Sequence, residues 1–402
     1  MLTVEDAQER ILSRISPLET ETKTLTESAN RILAAAVTSP IDLPSFDNSA
    51  MDGYAVVAQD LLRAGAENPV ILRMAGRIAA GDVFQGEVAR GACVRIFTGS
   101  PMPRGADAVV MQEDTRKDSE NADNVFFLDT VRPWENVRLK GEDVKQGTIL
   151  GAAGERLTAA RIGVLAAAGV AQVTVRRRPV VGLLATGSEL AEGGQKLAPA
   201  QVYESNRGSL AALVEQVGGK PKIYPIAKDT LEMTRASLDR AFRECDSVVT
   251  AGGVSVGEFD FVKEAFESLG GELALWRVAM KPGKPFVFGT WRDKFLFGLP
   301  GNPVSAFVTF LILVRPALLR LQGAAEVHLS SHLGALAEDL SNRGDRRHFM
   351  RVTVGRDGAV RSAGLQASHA LSSLAVANGL VDVPPGASWH AGQHVSVFRW
   401  EL

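Results

Sequence analysis

The residues best suited to chemistry lie between Ser247 and Asp260, in the run Ser-Val-Val-Thr-Ala-Gly-Gly-Val-Ser-Val-Gly-Glu-Phe-Asp. A β-branched run (Val248, Val249, Thr250) leads at once into Gly252 and Gly253, then Gly257, then a helical pattern. Strand, glycine loop and helix in that order mark where open α/β sheets bind ligands beyond their strand ends. Glycines let backbone N–H groups approach an anion, and the following helix N-terminus adds partial positive charge. Asp260, at the start of that helix, can cap it or can hold a metal ion beside a bound phosphate. The spacing is neither G-x-G-x-x-G nor G-x-x-x-x-G-K-[ST], which argues against an ordinary nicotinamide enzyme and a P-loop ATPase.

Such a loop needs a sheet to carry it. From Arg178 onward, strand patterns at Val180–Ala185, Ile223–Ala227, Ser247–Thr250, Leu273–Val278, Pro285–Gly289 and Lys294–Gly298 alternate with helical ones. The helices are expected at Ser209–Val217, Thr230–Phe242, Asp260–Leu269 and Pro303–Leu319. That alternation predicts a mostly parallel, doubly wound sheet. Its carboxyl edge would gather Thr186-Gly-Ser-Glu-Leu, Lys228-Asp229, the glycine loop, Met280-Lys-Pro-Gly-Lys-Pro and Gly298-Leu-Pro-Gly-Asn-Pro-Val-Ser. Asn302 and Pro303 read as N-cap and first helical residue. Lys281 and Lys284 would face Glu189, Asp229 and Asp260, the mixture of cations and carboxylates that a phosphate–Mg²⁺ site uses.

Around this unit the pattern changes three times. Residues 2–16 repeat apolar side chains at helical spacing after Thr3 and Asp6, a capping-box-like start, and a second helix is expected over Thr26–Ala35. Between Leu43 and Gly53, Asp47, Asn48, Ser49 and Asp52 crowd together, either as a self-bonded turn or as a loop offering Asp52 to a cation. Short β runs then follow to residue 131, and Thr98 stands just before a glycine turn. Helical character returns around Lys140-Gly-Glu-Asp and Thr158–Gly169. The expectation is an α/β multidomain chain: a discontinuous domain (1–44 and 138–177), to which the family resemblance given below assigns dimerisation, an inserted β-rich domain (45–137), the α/β domain (178–322) and a C-terminal β-barrel (323–402).

Composition narrows the classes. The chain has 402 residues, 46% of them hydrophobic and 22% charged, with net charge −2, so it reads as an ordinary soluble protein of several domains. With no basic block, a nucleic-acid partner is not expected. Cys93 and Cys245 stand alone, as suits a reducing cytoplasm. The N-terminus lacks the apolar core of a signal peptide. The longest greasy run, Ala306–Val314, falls short of the ~20 residues a membrane span needs. All six histidines lie between His328 and His394. A metal at the glycine loop would then take oxygen ligands, favouring Mg²⁺ over Zn²⁺. His328 and His332 are spaced i, i+4 but lack a helical context and read as surface or packing residues.

Phe46-Asp-Asn-Ser-Ala-Met-Asp-Gly-Tyr-Ala, Arg95-Ile-Phe-Thr-Gly, Lys140-Gly-Glu-Asp, Ala251-Gly-Gly-Val-Ser-Val-Gly, Met280-Lys-Pro-Gly-Lys-Pro and Gly298-Leu-Pro-Gly-Asn-Pro together resemble the molybdopterin molybdenumtransferase family, MoeA type, also found as the E domain of gephyrin. The resemblance spans nearly the whole chain. It implies an elongated homodimer with four domains per chain, in which adenylylated molybdopterin and molybdate become molybdenum cofactor and AMP with Mg²⁺. Partners implied are the molybdopterin adenylyltransferase and cofactor-accepting apoenzymes.

Carried over by the same resemblance, the functional residues are Asp52, Thr98, Asp143, Glu189, Asp229, Asp260 and Lys281. Glu189, Asp229 and Asp260 would be the metal carboxylates. Gly252, Gly253, Ser255, Gly257, Pro300, Asn302 and Pro303 would hold the pterin nucleotide, and Lys284, Ser305 and Arg346 the molybdate. Three positions depart from the family pattern: Ser188 and Glu204 each stand where Asp is usual, and Arg277 replaces a lysine. Two other readings keep the fold without turnover, a clustering scaffold and a binding-only paralogue; AMP release separates them from the enzyme.

Overall fold

The computed structural model describes residues 1–79, 81–254 and 261–400. Its centre is a six-stranded sheet built from β1 (Val180–Ala185), β2 (Lys220–Ile223), β3 (Ser247–Ala251), β4 (Glu272–Trp276), β5 (Val287–Trp291) and β6 (Lys294–Leu299). The order is β2-β1-β3-β6-β5-β4; β2, β1, β3 and β6 run parallel, and β5 is antiparallel to both its neighbours. Helices α1 (Asn206–Gln216), α2 (Leu231–Glu244), α3 (Val262–Ser268) and α4 (Pro303–Leu321) cover it.

The period-2 alternation of the strands explains why both faces are covered. Val181, Leu183, Phe295 and Phe297 point to one side, onto α1 and α4. Leu184, Val248 and Leu296 point to the other, onto Leu238, Phe242, Val262 and Phe266 of α2 and α3. Phe242, Phe266, Phe288 and Phe297 are fully buried, each worth roughly 1.5–3 kcal/mol relative to exposure.

Helix α4 runs past the end of the greasy stretch. Pro316 lies inside it, and the turn Phe310–Val314 before it is π-helical. A proline in a helix interior clashes with the carbonyl four residues back, and a wider turn makes room. The helix is long and apolar enough to cross a membrane, but 83% of its apolar stretch is buried in the fold. It is a core helix.

Strands from either side of the β insert pair with each other: Thr20–Thr24 with Gln172–Arg176, and Val37–Thr38 with Ile149–Gly151. Leu33, Leu157, Leu165 and Val173 form their shared core. Thr3 caps Val4–Leu12 by accepting from the Asp6 amide at 3.0 Å, and Thr158 caps Ala159–Ala167 in the same way through Arg161. The helix expected over Thr26–Ala35 is only a 3₁₀ turn, Thr26–Ser28. Asn30 then takes φ +63°, and Ile32 and Leu33 bridge to Arg156 and Val175, so pairing wins over helix there.

The insert holds a six-stranded sheet, ordered 108–111, 53–56, 92–96, 70–77, 124–127, 115–117, with apolar clusters on both faces. No pairing among the described residues closes it into a barrel. The C-terminal strands do close: Arg347–Val354 pairs with Ala359–Ser362 on one side and Gly379–Val383 on the other, and Ser331–Leu336 and His394–Phe398 complete the ring.

A half-buried ion pair joins the end of the N-terminal unit to the sheet. Asp246 accepts from both terminal nitrogens of Arg177 and from the Val180 amide, each at 2.7 Å, and Arg177 also reaches Glu19 at 2.6 Å. Burial raises the Asp246 pKa, but Arg177 and the amide outweigh it and hold the carboxyl below its ordinary value. A depressed acid stabilises the fold above its unfolded pKa and loses that contribution as pH falls through the folded one. Asp246→Asn should therefore cost about 2 kcal/mol at pH 7 and progressively less below pH ~4, read as a urea-midpoint difference that shrinks in acid. A difference independent of pH would contradict this role.

Candidate active site

The carboxyl ends of β1, β3 and β6 open into a cavity of about 900 Å³. Gly252 and Gly253 form its floor, with φ +95° and +70°. A Cβ at Gly253 would fall 2.7 Å from Val262 and 2.8 Å from Thr186 Oγ1, and one at Gly252 would fall 2.9 Å from the Thr186 carbonyl oxygen. Only glycine lets the end of β3 run this close to the loop after β1. Gly301 approaches from β6, where a Cβ would lie 3.7 Å from the Gly252 Cα. Bare backbone therefore faces the ligand space.

Glu189, Asp229, Pro300, Asn302 and Pro303 line the same cavity. The Asp229 Oδ2 accepts from the Ser188 amide at 2.7 Å, and the Asp229 amide lies 3.4 Å from the Ser188 hydroxyl. Ser188 thus locks two loops together. The Glu189 carboxylate folds back over Gly187, where a Cβ would meet it at 2.8 Å. Asn206 donates to the Gly301 carbonyl at 2.8 Å, and its Oδ1 is buried without a partner, as is Thr186 Oγ1. Unpaired buried polar atoms beside a cavity are costly unless a ligand or water meets them.

Glu204 has a different task from a metal ligand. Its Oε1 accepts from the Asn206 and Arg207 amides, capping α1, and its Oε2 meets Arg207 Nε at 2.8 Å. Arg277, the third departure, takes φ +70° and turns the chain between β4 and the Met280-Lys281 segment.

A second polar cluster adjoins this unit. Met280–Lys281 pairs in parallel with Arg347 and His348 of the C-terminal ring. Arg346 donates to the Met280 carbonyl at 3.2 Å. Arg351 is fully buried and held by Ser373 Oγ, Leu365 O and Ala367 O, with its Nη1 left without a partner. Burial, then Lys281, Arg351 and Arg346, pull the His348 pKa down to about 4, so its ring is neutral at pH 7 among three cations. A buried guanidinium without a carboxylate is expensive, and an anion bound there would offset the cost. Ser305 is buried on the first turns of α4, while Lys284 is exposed and lies outside the cavity lining.

Residues 2–169 match the family model described as MoeA N-terminal region (domain I and II), 182–320 a probable molybdopterin binding domain, and 334–400 the MoeA C-terminal region (domain IV). The chain is 39% identical over 388 residues to a molybdopterin molybdenumtransferase of Haemophilus influenzae, covering 94% of this chain and 93% of that protein. The chain belongs to the molybdopterin molybdenumtransferase family. A relative from Nostoc is 38% identical, covering 96% of this chain and 89% of that protein. The crystal structure of a molybdopterin biosynthesis moeA protein from Pyrococcus horikoshii superposes with TM-score 0.85 at 30% identity, covering 99% of this chain and all of that one.

Against this family background, the fold gathers Glu189, Asp229, Gly252, Gly253, Pro300, Asn302 and Pro303 at one cavity. Ser255, Gly257 and Asp260 lie outside the described residues. Asp52, Thr98, Asp143, Lys281, Ser305 and Arg346 do not line the cavity. Asp52 instead accepts from the Thr98 amide and hydroxyl, both at 2.8 Å, and these two bonds hold its carboxyl below the ordinary range. Asp143 is exposed where the chain leaves the insert.

The sequence reading missed Tyr203, Asn206, His369 and Leu371, which also line the cavity. His369 overturns the argument from histidine placement: it lines the same cavity as Gly252 and Gly253, so sequence distance did not exclude an imidazole. Among the described residues, no three His, Cys, Asp or Glu side chains form a metal cluster. Periodicity could not have found His369 and Leu371, because the packing of the C-terminal unit on the sheet unit sets their position; Tyr203 and Asn206 come from the sheet unit itself, at the entry to α1.

Proposed function

We propose that the chain inserts molybdenum into adenylylated molybdopterin, releasing AMP. As a family member it is an enzyme of molybdenum cofactor biosynthesis. The observation that supports the reading is a pair of unlike surfaces: a glycine-floored, carboxylate-walled cavity, and a mainly cationic cluster of Lys281, Arg346 and Arg351, in which the exposed Asp345 lies 3.5 Å from Arg346. The first suits the nucleotide phosphates, and the second suits a tetrahedral dianion.

In this account the Gly252–Gly253 backbone and Asn206 bind the pyrophosphate and pterin, and Asn302 and Pro303 border them. Lys281, Arg346 and Arg351 attract molybdate, with Lys284 steering it from the exposed loop and Ser305 beside it. Cleavage of the phosphoanhydride by water frees AMP and leaves the pterin phosphate, and the two dithiolene thiols bind molybdenum through sulfur as one molybdate oxygen leaves with their two protons as water. The donor set fits Mg²⁺: Glu189 and Asp229 on one wall leave room for phosphate oxygens and waters. Bound there, Mg²⁺ would offset charge on the leaving phosphate. The working form is a homodimer in which the partner's insert supplies Asp52 and Thr98. The substrate would come from the molybdopterin adenylyltransferase, and the product would pass to apoenzymes.

Purified protein given adenylylated molybdopterin, molybdate and Mg²⁺ should activate a molybdenum-free apoenzyme; no activation would remove the reading. Lys281→Ala should weaken molybdate binding by at least about tenfold, the weight of one charge-assisted contact of ~1.4 kcal/mol or more. Calorimetry on the folded variant checks this, and an unchanged affinity would move the anion elsewhere.

A further inference from the structure

A second cavity, of about 620 Å³, lies at the C-terminal end of α1 and beside the middle of α4. Asn206 and Pro303, at the N-terminal ends of these helices, line the active-site cavity. Gln216 of α1, and Leu311 and Arg315 of α4, line the second one. The length of α1 alone separates the two by about 16 Å. Three units meet around this space: the N-terminal unit, the sheet unit and the C-terminal ring.

Its walls are unusually cationic. Arg31, Arg156, Arg178, Arg315 and Arg399 all line it. Arg31 is paired with Glu21, but among the described residues the other four have no carboxylate partner. Carbonyls orient three of them: Arg156 donates to Asn30 O at 3.0 Å, Arg178 to Gly218 O and Gly219 O at 2.7 and 2.9 Å, and Arg315 to Val327 O at 2.8 Å. Arg399 Nε is buried with no partner at all. The carboxylates on the lining, Glu27 and Glu215, are exposed, and Glu27 is already bonded to Thr24.

Burial, and then the charge of Arg156, bring the Arg315 pKa down to about 10. Burial alone lowers that of Arg156. Guanidiniums held together by carbonyls without a counter-charge repel one another. Arginine forks arranged in this way match phosphate oxygens.

We propose that this cavity is a binding site, distinct from the active site, for a small phosphate-bearing polyanion. Trp400 and Leu311 supply an apolar wall beside the arginines. The phosphates therefore anchor the ligand, and any organic part lies against that wall.

The test is calorimetry of the full chain with inorganic pyrophosphate, and with ADP as a second arm. Pyrophosphate titrated into wild type should show a binding event, separate from any at the Gly252–Gly253 cavity, that the double variant Arg156→Gln/Arg315→Gln weakens at least tenfold. Tighter binding of ADP than of pyrophosphate in the same arginine-dependent manner would add a base on the Trp400 wall; equal binding would leave phosphate as the whole recognised group. Without ligand the double variant should melt no lower than wild type, because it removes a repulsion. If it does not fold, Arg399→Gln carries the same binding expectation. Equal pyrophosphate affinity in a folded arginine variant would overturn the proposal. So would a change in its molar mass by light scattering, which would make the cavity a contact between copies of the chain.

Discussion

Replacing Asp229 with Asn should lower the rate of cofactor formation by roughly a hundredfold or more while leaving the melting temperature nearly unchanged. Asp229 lines the active-site cavity and accepts from the Ser188 amide at 2.7 Å through Oδ2. Asn keeps an oxygen acceptor, so the loop lock survives and only the negative charge is lost. Glu189→Gln should act alike, because its carboxylate lies over Gly187 on the same wall. Ser188→Ala removes only the weaker 3.4 Å contact and should change the rate by less than about tenfold. Rates measured at rising Mg²⁺ give the discriminating readout. Loss of charge should raise the Mg²⁺ concentration needed, whereas a purely structural role would lower the rate equally at every concentration.

The second large effect concerns the insert. Asp52 and Thr98 bond to each other there, and neither lines the cavity of their own chain. If the partner's insert completes each site, Asp52→Ala and Asp229→Asn should each inactivate the homodimer. In a mixed dimer both lesions then fall in one pocket and the other stays intact. Random mixing makes about half the dimers mixed, so about a quarter of wild-type activity should return. Co-expressed, co-purified mixed dimers that stay inactive would place both residues in one chain's site.

Much of the scaffold was legible because burial on two faces writes itself into strands. Val180–Ala185 appears with the expected bounds, and β3 and β6 are longer by one residue each. The second strand of the sheet was misplaced. Ile223, Tyr224 and Ile226 suggested a strand over 223–227, yet the ladder covers Lys220–Ile223. That strand is an edge, largely exposed, so no alternation marks it, and Pro225 lacks the N–H to continue the ladder. The chain nonetheless keeps its path beside β1, through Tyr224 N to Leu183 O and Ala227 N to Ala185 O.

The candidate site divides in the same way. Glycines with positive φ and loops after parallel strands are local features, and Gly252, Gly253, Glu189, Asp229 and Asn302 were found from them. Arg351 and His369 were not. One is a buried guanidinium inside a barrel strand, and the other lies on a segment that crosses to the sheet unit, where the Val304 amide meets the Ser368 carbonyl at 3.2 Å. Neither position follows from spacing, because each depends on how the ring docks against α4.

The proposed reaction couples the adenylyl phosphate at the glycine-floored cavity to molybdate at the Lys281 cluster. Its most direct test is AMP released from adenylylated molybdopterin by the purified protein, quantified by chromatography with and without molybdate. The account predicts AMP in step with cofactor formed, dependent on molybdate, and lost in Asp229→Asn. Release at the same rate without molybdate, or cofactor formed with no AMP, would contradict it.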